Sequence, residues 1–245
     1  MKNFFSKAAI ALALIGLASG AGAKGYKEVD VANGGSFTGT VSAGANEPDS
    51  RSFTISKDTG ICGEGTRTVK FVEVTDGMLM NAVVFLTDVD EGKAFPAELM
   101  ELTLTQEACE FSPALGVMAN RGEFTAINSD HTLHNIHTYE QIGKARRTVM
   151  NVSQPNAGDV VTKEVKLRRG NGMKVECDAH DFMHSFVYVA KNPYFSVVDE
   201  TGAFSISDIP AGTYEVMMWH GALGEIEVGE ITIEAGGEVT MPLSY

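Results

Sequence analysis

Three soft or borderline metal donors fall within seven residues of this chain, at Cys177, His180 and Met183. A thiolate, an imidazole and a thioether at i, i+3 and i+6 can serve one centre only on a tight loop. A fourth donor must then arrive from elsewhere in the fold. The upstream stretch Ser129-Asp130-His131-Thr132-Leu133-His134-Asn135-Ile136-His137 supplies it. Of the six His, five lie in these two stretches and none precedes residue 131. His134 stands 43 positions before Cys177, so a strand end must be folded against the loop. One Cys, two His and a weak axial Met form the donor set of a blue-copper electron-transfer centre. The assignment is His134, Cys177 and His180 with Met183 axial, one copper per chain, cycling Cu(II)/Cu(I). His137 and His184 are possible additional donors. His131 and His184 otherwise read as surface residues and His137 as a neighbour of the site. His220, after Trp219, reads as a packing residue, and Trp219 as core. The eleven Met are scattered and form no Met-x-x-Met runs.

The pattern around these stretches is that of an all-β chain. Period-two alternation with β-branched and aromatic residues, bounded by Gly, Asn and Asp, recurs throughout. Gly35 to Ser42, Arg51 to Ser56, Thr68 to Val74, Glu123 to Asn128, Thr162 to Leu167, Met173 to Cys177 and Ser185 to Ala190 read as strands. Ala82 to Leu86 is a continuous apolar run, as in a strand covered on both faces. Lys57-Asp58-Thr59-Gly60 reads as a turn. The segment Gly229 to Ala235, Gly236-Gly237 and Val239 to Leu243 reads as a closing hairpin. Pro96 to Leu102 is the one helix candidate, with Pro at the first turn.

Residues 1–23 read as a signal peptide: Lys2 and Lys7, the apolar run Ala8 to Leu17, then Ala21-Gly22-Ala23 as a cleavage site. No Cys follows the apolar run to take a lipid anchor, and the run is too short to span a bilayer. The expectation is an exported chain, periplasmic or secreted, with no membrane insertion. Export permits disulfides. Cys62 and Cys109 lack nearby His and sit in turn-like settings, so they are paired, leaving Cys177 as the odd thiol for metal. The formal charge is −13, or −15 without Lys2 and Lys7. Such a balance argues against nucleic acid and anionic lipid and suits a basic docking partner.

The motifs Phe111-Ser112-Pro113, Asn120-Arg121-Gly122, Asn128-Ser129-Asp130, His134-Asn135-Ile136-His137 and Cys177-x-x-His180-x-x-Met183 resemble those of a cupredoxin, and amicyanin in particular. The resemblance spans roughly residues 101–190. It implies a Greek-key β-sandwich, with Asn135 hydrogen-bonding toward the thiolate and His180 presenting an exposed ring edge as the electron exit. Asp181 stands where amicyanin has Pro, and a carboxylate there would favour oxidised copper. The extra imidazoles leave room for a variant of unusual potential or for Zn(II). No second loop Cys is present for a two-copper entry site.

The segment Asp199-Glu200-Thr201-Gly202-Ala203-Phe204 with Ile209-Pro210-Ala211-Gly212-Thr213-Tyr214 resembles a carboxypeptidase-regulatory-like, transthyretin-type β-sandwich. Gly34 to Val41 and Asn81 to Leu86 resemble that module's beginning. A piece of about fifty residues is small for its own core. The expected architecture is therefore residues 24–97 and 191–245 forming one discontinuous sandwich, with a cupredoxin at 98–190 inserted. Three consecutive modules are the alternative. The whole is also similar to bacterial methylamine-utilisation-like proteins, in which Cys at both the Cys62 and Cys109 positions recurs. Their Phe-x-Pro motif often continues with His, and Ala114 stands there in this chain. The implied role is an electron carrier, not an enzyme, between redox proteins such as a c-type cytochrome or a dehydrogenase. Copper delivery or sensing without a redox cycle, and a metal-free adhesion or carbohydrate module, are the competing readings.

Overall fold

The computed structural model describes residues 25–245, so the expected signal peptide lies outside the described residues. The chain is nearly all strand, arranged as two stacked-sheet units and a separate hairpin. No helix among the described residues is long and apolar enough to cross a membrane.

The central unit has a four-stranded sheet in the order Glu110–Ser112, Glu101–Glu107, Glu123–Asn128, Val160–Glu164. Its second sheet has five strands: Leu115–Ala119, His184–Ala190, Gly172–Glu176, His134–Ile142 and Ala145–Gln154. Leu104, Met118, Phe124, Ile136, Met173, Val175 and Val187 belong to the buried cluster of this unit. Pro113 separates Glu110–Ser112 from Leu115–Ala119 because it has no N–H to continue a ladder. The two segments accordingly enter different sheets.

The other unit draws strands from both sides of the central one. Phe195–Val197, Ala82–Leu86, Gly212–His220 and Gly224–Ile233 form one sheet. Gly35–Ser42 is flanked by Ala203–Ile209 on one side and short strands on the other in the second. Phe37, Val41, Leu86, Phe204, Ile206, Val216 and Met218 are among its buried residues. The expected closing hairpin does not form. Gly224–Ile233 pairs with Gly212–His220, and the Gly236-Gly237 turn carries Glu238–Thr240 across to lie parallel to Gly35–Ser42.

Alternation explains the apolar run at Ala82–Leu86. Val84 and Leu86 face their own core, while Val83 and Phe85 join Tyr188, Ala190 and Trp219 in a third cluster between the units. Contact there is close. A Cβ on Gly172 would fall 2.1 Å from Trp219 Nε1, and one on Gly221 would fall 2.2 Å from the Phe186 ring.

The hairpin of Asp49–Ile55 and Gly65–Val72 pairs with neither unit's sheets. Between its strands, where the sequence suggests a simple turn, Thr59–Cys62 makes one helical turn. Ile55 and Cys62 are buried with the central core, with Phe53, Ile61 and Val69 packed against it. A disulfide between Cys62 and Cys109 fastens the hairpin to the central unit. The Arg67 guanidinium reinforces it by donating to the carbonyls of Cys62, Ala108 and Cys109. At Pro96, the helix candidate reduces to a single 3-10 turn, Ala97–Met100, before the chain extends again at Glu101.

Candidate metal centre

The loop that closes Gly172–Glu176 onto His184–Ala190 is two consecutive turns. His180 N–H donates to the Cys177 carbonyl at 3.3 Å, and Met183 N–H to the His180 carbonyl at 3.1 Å. Turns of this period stack residues three apart on one side. Cys177, His180 and Met183 are all buried. The fourth donor comes from the strand His134–Ile142, where His134, Ile136 and Thr138 alternate as the buried residues up to the bulge at Thr138/Tyr139.

His134 Nδ1 and His180 Nδ1 lie 3.2 Å apart, and Cys177 Sγ lies 3.9 Å and 3.8 Å from them. Each imidazole is fixed by a carboxylate on its other nitrogen. His134 Nε2 meets Asp130 at 2.8 Å, and His180 Nε2 meets Asp58 at 2.9 Å. With each Nε2–H donated to a carboxylate, both Nδ1 atoms carry inward lone pairs. Two lone pairs and a sulfur converging in a buried place repel one another unless a proton or a metal cation lies between them. The donor set therefore fits a soft or borderline metal ion.

Three groupings of potential donors occur among the described residues: His134–Cys177–His180, Cys62–Cys109–His180 and Cys109–Asp130–His134. The sulfurs of Cys62 and Cys109 are bonded to each other, which leaves the first as the grouping of free donors. The other two place the disulfide against both imidazoles.

The surroundings tune the groups in opposite directions. Burial pushes the Cys177 thiol up, while the N–H groups of Asn135, Ala179 and His180 favour the thiolate. Asn135 N lies 3.4 Å from the sulfur. Burial pulls His134 below the ordinary imidazole value, against the attraction of Asp130. Burial alone would raise the Asp130 carboxyl, but the N–H groups of Cys109 and Ala108 and the His134 ring bring it below the usual range. His180 chiefly holds the Asp58 carboxyl down.

Asp130 is placed by Asn128, whose side-chain oxygen accepts the Asp130 N–H at 2.9 Å and whose amide ties the Thr132 and Gln154 carbonyls. Asp130 in turn accepts from the N–H groups of Ala108 and Cys109, at 2.7 Å and 2.8 Å. Those two residues have φ of 51° and 56°. Non-glycine residues there are strained and persist only where the surroundings hold them. Here the carboxylate and the disulfide do so.

Several sequence expectations are corrected. The His180 ring is not an exposed edge: it is 1% exposed, beneath Asp58 and the disulfide. The carboxylate beside it is Asp58, not Asp181, which lies exposed on the loop. His137 is three residues from His134 on a strand, an odd spacing that places it on the opposite face. There it stacks on Tyr139 at 4.0 Å and meets Asp178 at 3.0 Å. His184 pairs in register with Glu176 and packs edge-on to Phe71 of the hairpin. Neither ring belongs to the donor grouping. His131 is exposed. Asn135 donates its backbone N–H toward the Cys177 sulfur, while its side chain bonds Asn151 at 2.6 Å and accepts the N–H of Asp178 on the loop at 3.4 Å. His220 lies in the other unit, accepting from the N–H groups of Ala222 and Leu223.

Asp58 was not legible as a site residue. It stands 122 positions from His180, in a segment without His, and only the fold joins them. Asp130 carried a faint signal, an acid four residues before a candidate ligand.

No protein-family model matches the chain, and no curated protein matches it in sequence. Solved structures do share part of its shape. A purple cupredoxin from Nitrosopumilus maritimus overlaps 36% of this chain and 98% of its own, at 19% identity and a TM-score of 0.31. Amicyanin from Paracoccus versutus overlaps 44% of this chain and 97% of its own, at 14% identity and 0.30. A copper-containing nitrite reductase from Thermus scotoductus overlaps 37% of this chain at 12% identity and 0.30, and the overlap spans 22% of that enzyme. Likenesses this slight add nothing to the donor geometry.

Proposed function

We propose that this protein is an exported mononuclear type 1 copper protein that carries single electrons between redox partners. The convergence of His134 Nδ1, His180 Nδ1 and Cys177 Sγ, each imidazole backed by a carboxylate, carries this reading. Copper bound there supplies a one-electron couple. The protein's part is to keep the donors rigid, so that both oxidation states accept one geometry. Cys177, His180 and Met183 are fixed by the two loop turns. His134 is fixed by Asp130 and by the strand it opens. Burial of all four residues excludes water from the centre. The disulfide is in keeping with an oxidising, periplasmic or secreted location. The acidic balance suits a partner with a basic docking patch, such as a c-type cytochrome or a dehydrogenase.

One observation favours a second reading, copper binding or delivery without a redox cycle. His180 has no exposed edge through which an electron would leave. The two readings separate in the optical and electron-paramagnetic spectra of the protein with one equivalent of Cu(II), measured beside Cys177→Ser. An intense blue thiolate-to-copper band with narrow hyperfine splitting, lost in the variant, is the expected result. A pale tetragonal spectrum indifferent to Cys177→Ser would remove the electron-carrier reading.

A further inference from the structure

The hairpin outside the central sandwich contributes a residue to the copper site. We propose that Asp58 acts through His180 as a positioning residue that lowers the copper reduction potential. This inference rests on the type 1 reading above.

The geometry is specific. Asp58 Oδ2 lies 2.9 Å from His180 Nε2, on the side of the ring opposite the nitrogen that faces Cys177. A carboxylate on the distal N–H of a ligating imidazole makes the proximal nitrogen a stronger donor. A stronger donor favours the more highly charged ion, Cu(II) over Cu(I). The His134–Asp130 pair has the same arrangement, so both imidazoles are biased alike.

Asp58 differs from Asp130 in what else it does. Asp130 also holds the strained turn at Ala108 and Cys109. The Asp58 side chain is 40% exposed and makes no capping bond to the short helix that follows. The hairpin is held over His180 by the disulfide, by Arg67 and by the packing of Ile55 and Ile61. None of these needs the Asp58 charge. The test residue is therefore Asp58, and the test substitution is Asp58→Asn. Asp58 sits at φ 52°, a region that Asn tolerates better than other non-glycine residues. The amide oxygen still accepts the His180 N–H, so at the ring only the charge is removed; the other side-chain partner of Asp58 is Thr132.

The experiment is redox titration of copper-loaded wild type, Asp58→Asn and Asp181→Asn, with Cu(II) and Cu(I) affinities measured by chelator competition. Loss of a carboxylate behind a metal-bound imidazole costs about 10- to 100-fold in affinity. Felt by Cu(II) alone, that raises the Asp58→Asn potential by about 60–120 mV, at about 59 mV per tenfold for one electron. Asp181→Asn removes an equal charge from an exposed site on the same loop and is expected to leave the potential in place. A blue Asp58→Asn protein with the wild-type potential overturns the proposal, as does an equal rise in both variants. A wild-type protein with no blue band overturns the reading beneath it, and this inference with it.

Discussion

The two sandwiches solve the same packing problem with different interiors. Among the described residues, the buried polar and charged side chains are Gln106, Asn128, Asp130, His134, Thr138, Glu140, Gln154, Asn171, His180, Ser185 and His220. All but His220 lie in the central unit. The flanking unit is held by apolar volume: Phe37 against Phe204 at 4.9 Å, with Val41, Ile206, Val216 and Met218 around them. Most of these groups are bonded, with Gln106 Oε1 and Thr138 Oγ1 left without a hydrogen-bond partner, and a bonded buried polar group fixes one arrangement of the chain, at a high penalty if its partner is lost. The central unit carries that penalty where donor positions must be accurate to fractions of an ångström. The flanking unit has no such demand on it.

Removing one keystone from each interior breaks the comparison most strongly. Glu140 is buried and accepts from the N–H groups of Arg168, Arg169 and Gly170 and from the Arg147 guanidinium. Those donors keep its carboxyl below the usual range although burial works the other way. Glu140→Ala is expected to cost about 3–5 kcal/mol in denaturant unfolding. Phe37→Ala is expected to cost a similar ~3–5 kcal/mol, through lost volume. The two substitutions differ in how they can be repaired. Phe37→Leu should recover most of the loss, whereas Glu140→Leu should recover little, because the three N–H groups stay unpaired.

Acid sharpens the contrast at an intermediate size. Burial pushes His220 down to about 4 from an ordinary value of 6.5. The unfolded chain therefore takes up the proton first. The stability due to neutral His220 is whole above pH 6.5 and is lost as pH falls from 6.5 towards 4. Its full size is about 3 kcal/mol. Stability measured from pH 7 to pH 4 should fall more steeply for wild type than for His220→Gln. Parallel curves would show that His220 does not bear this cost.

The smallest effect belongs to His137. It lies on the outer face of its strand, on Tyr139 and against Asp178. His137→Ala is expected to change stability by less than about 1 kcal/mol and to leave the copper spectrum as in wild type. A spectral change of the size expected of Cys177→Ser would bring His137 back into the donor set.

What could be read from the sequence follows the range of each interaction. Cys177 and His180 are legible together because a short turn brings their donor atoms to one place, with Met183 at the end of the next turn, and turns are local. The opposite facing of His134 and His137 was in principle legible from strand periodicity. It was hidden because His, Asn, Thr and Glu occupy both faces of His134–Ile142, so the strand shows no apolar alternation. The same polarity concealed its partner Ala145–Gln154, which carries Arg, Asn and Ser outward. Asp58 was illegible for a different reason: a single acid in a turn has no pattern, and its partner lies far along the chain. The C-terminal strands depart from the hairpin expected of the sequence because Gly236-Gly237 permits either a hairpin or a crossing. The choice was made by the open side of Gly35–Ser42.

The cover over His180 has a consequence for the traffic of any ion held there. A centre with no solvent edge exchanges its metal only when the polypeptide above it moves aside, so release is clocked by the opening of that flap. The Cys62–Cys109 staple ties the flap near its tip, directly beside the imidazole. On the proposed copper reading, an ion captured before the staple forms would be locked in, and the order of oxidation and metallation would decide how much protein is filled.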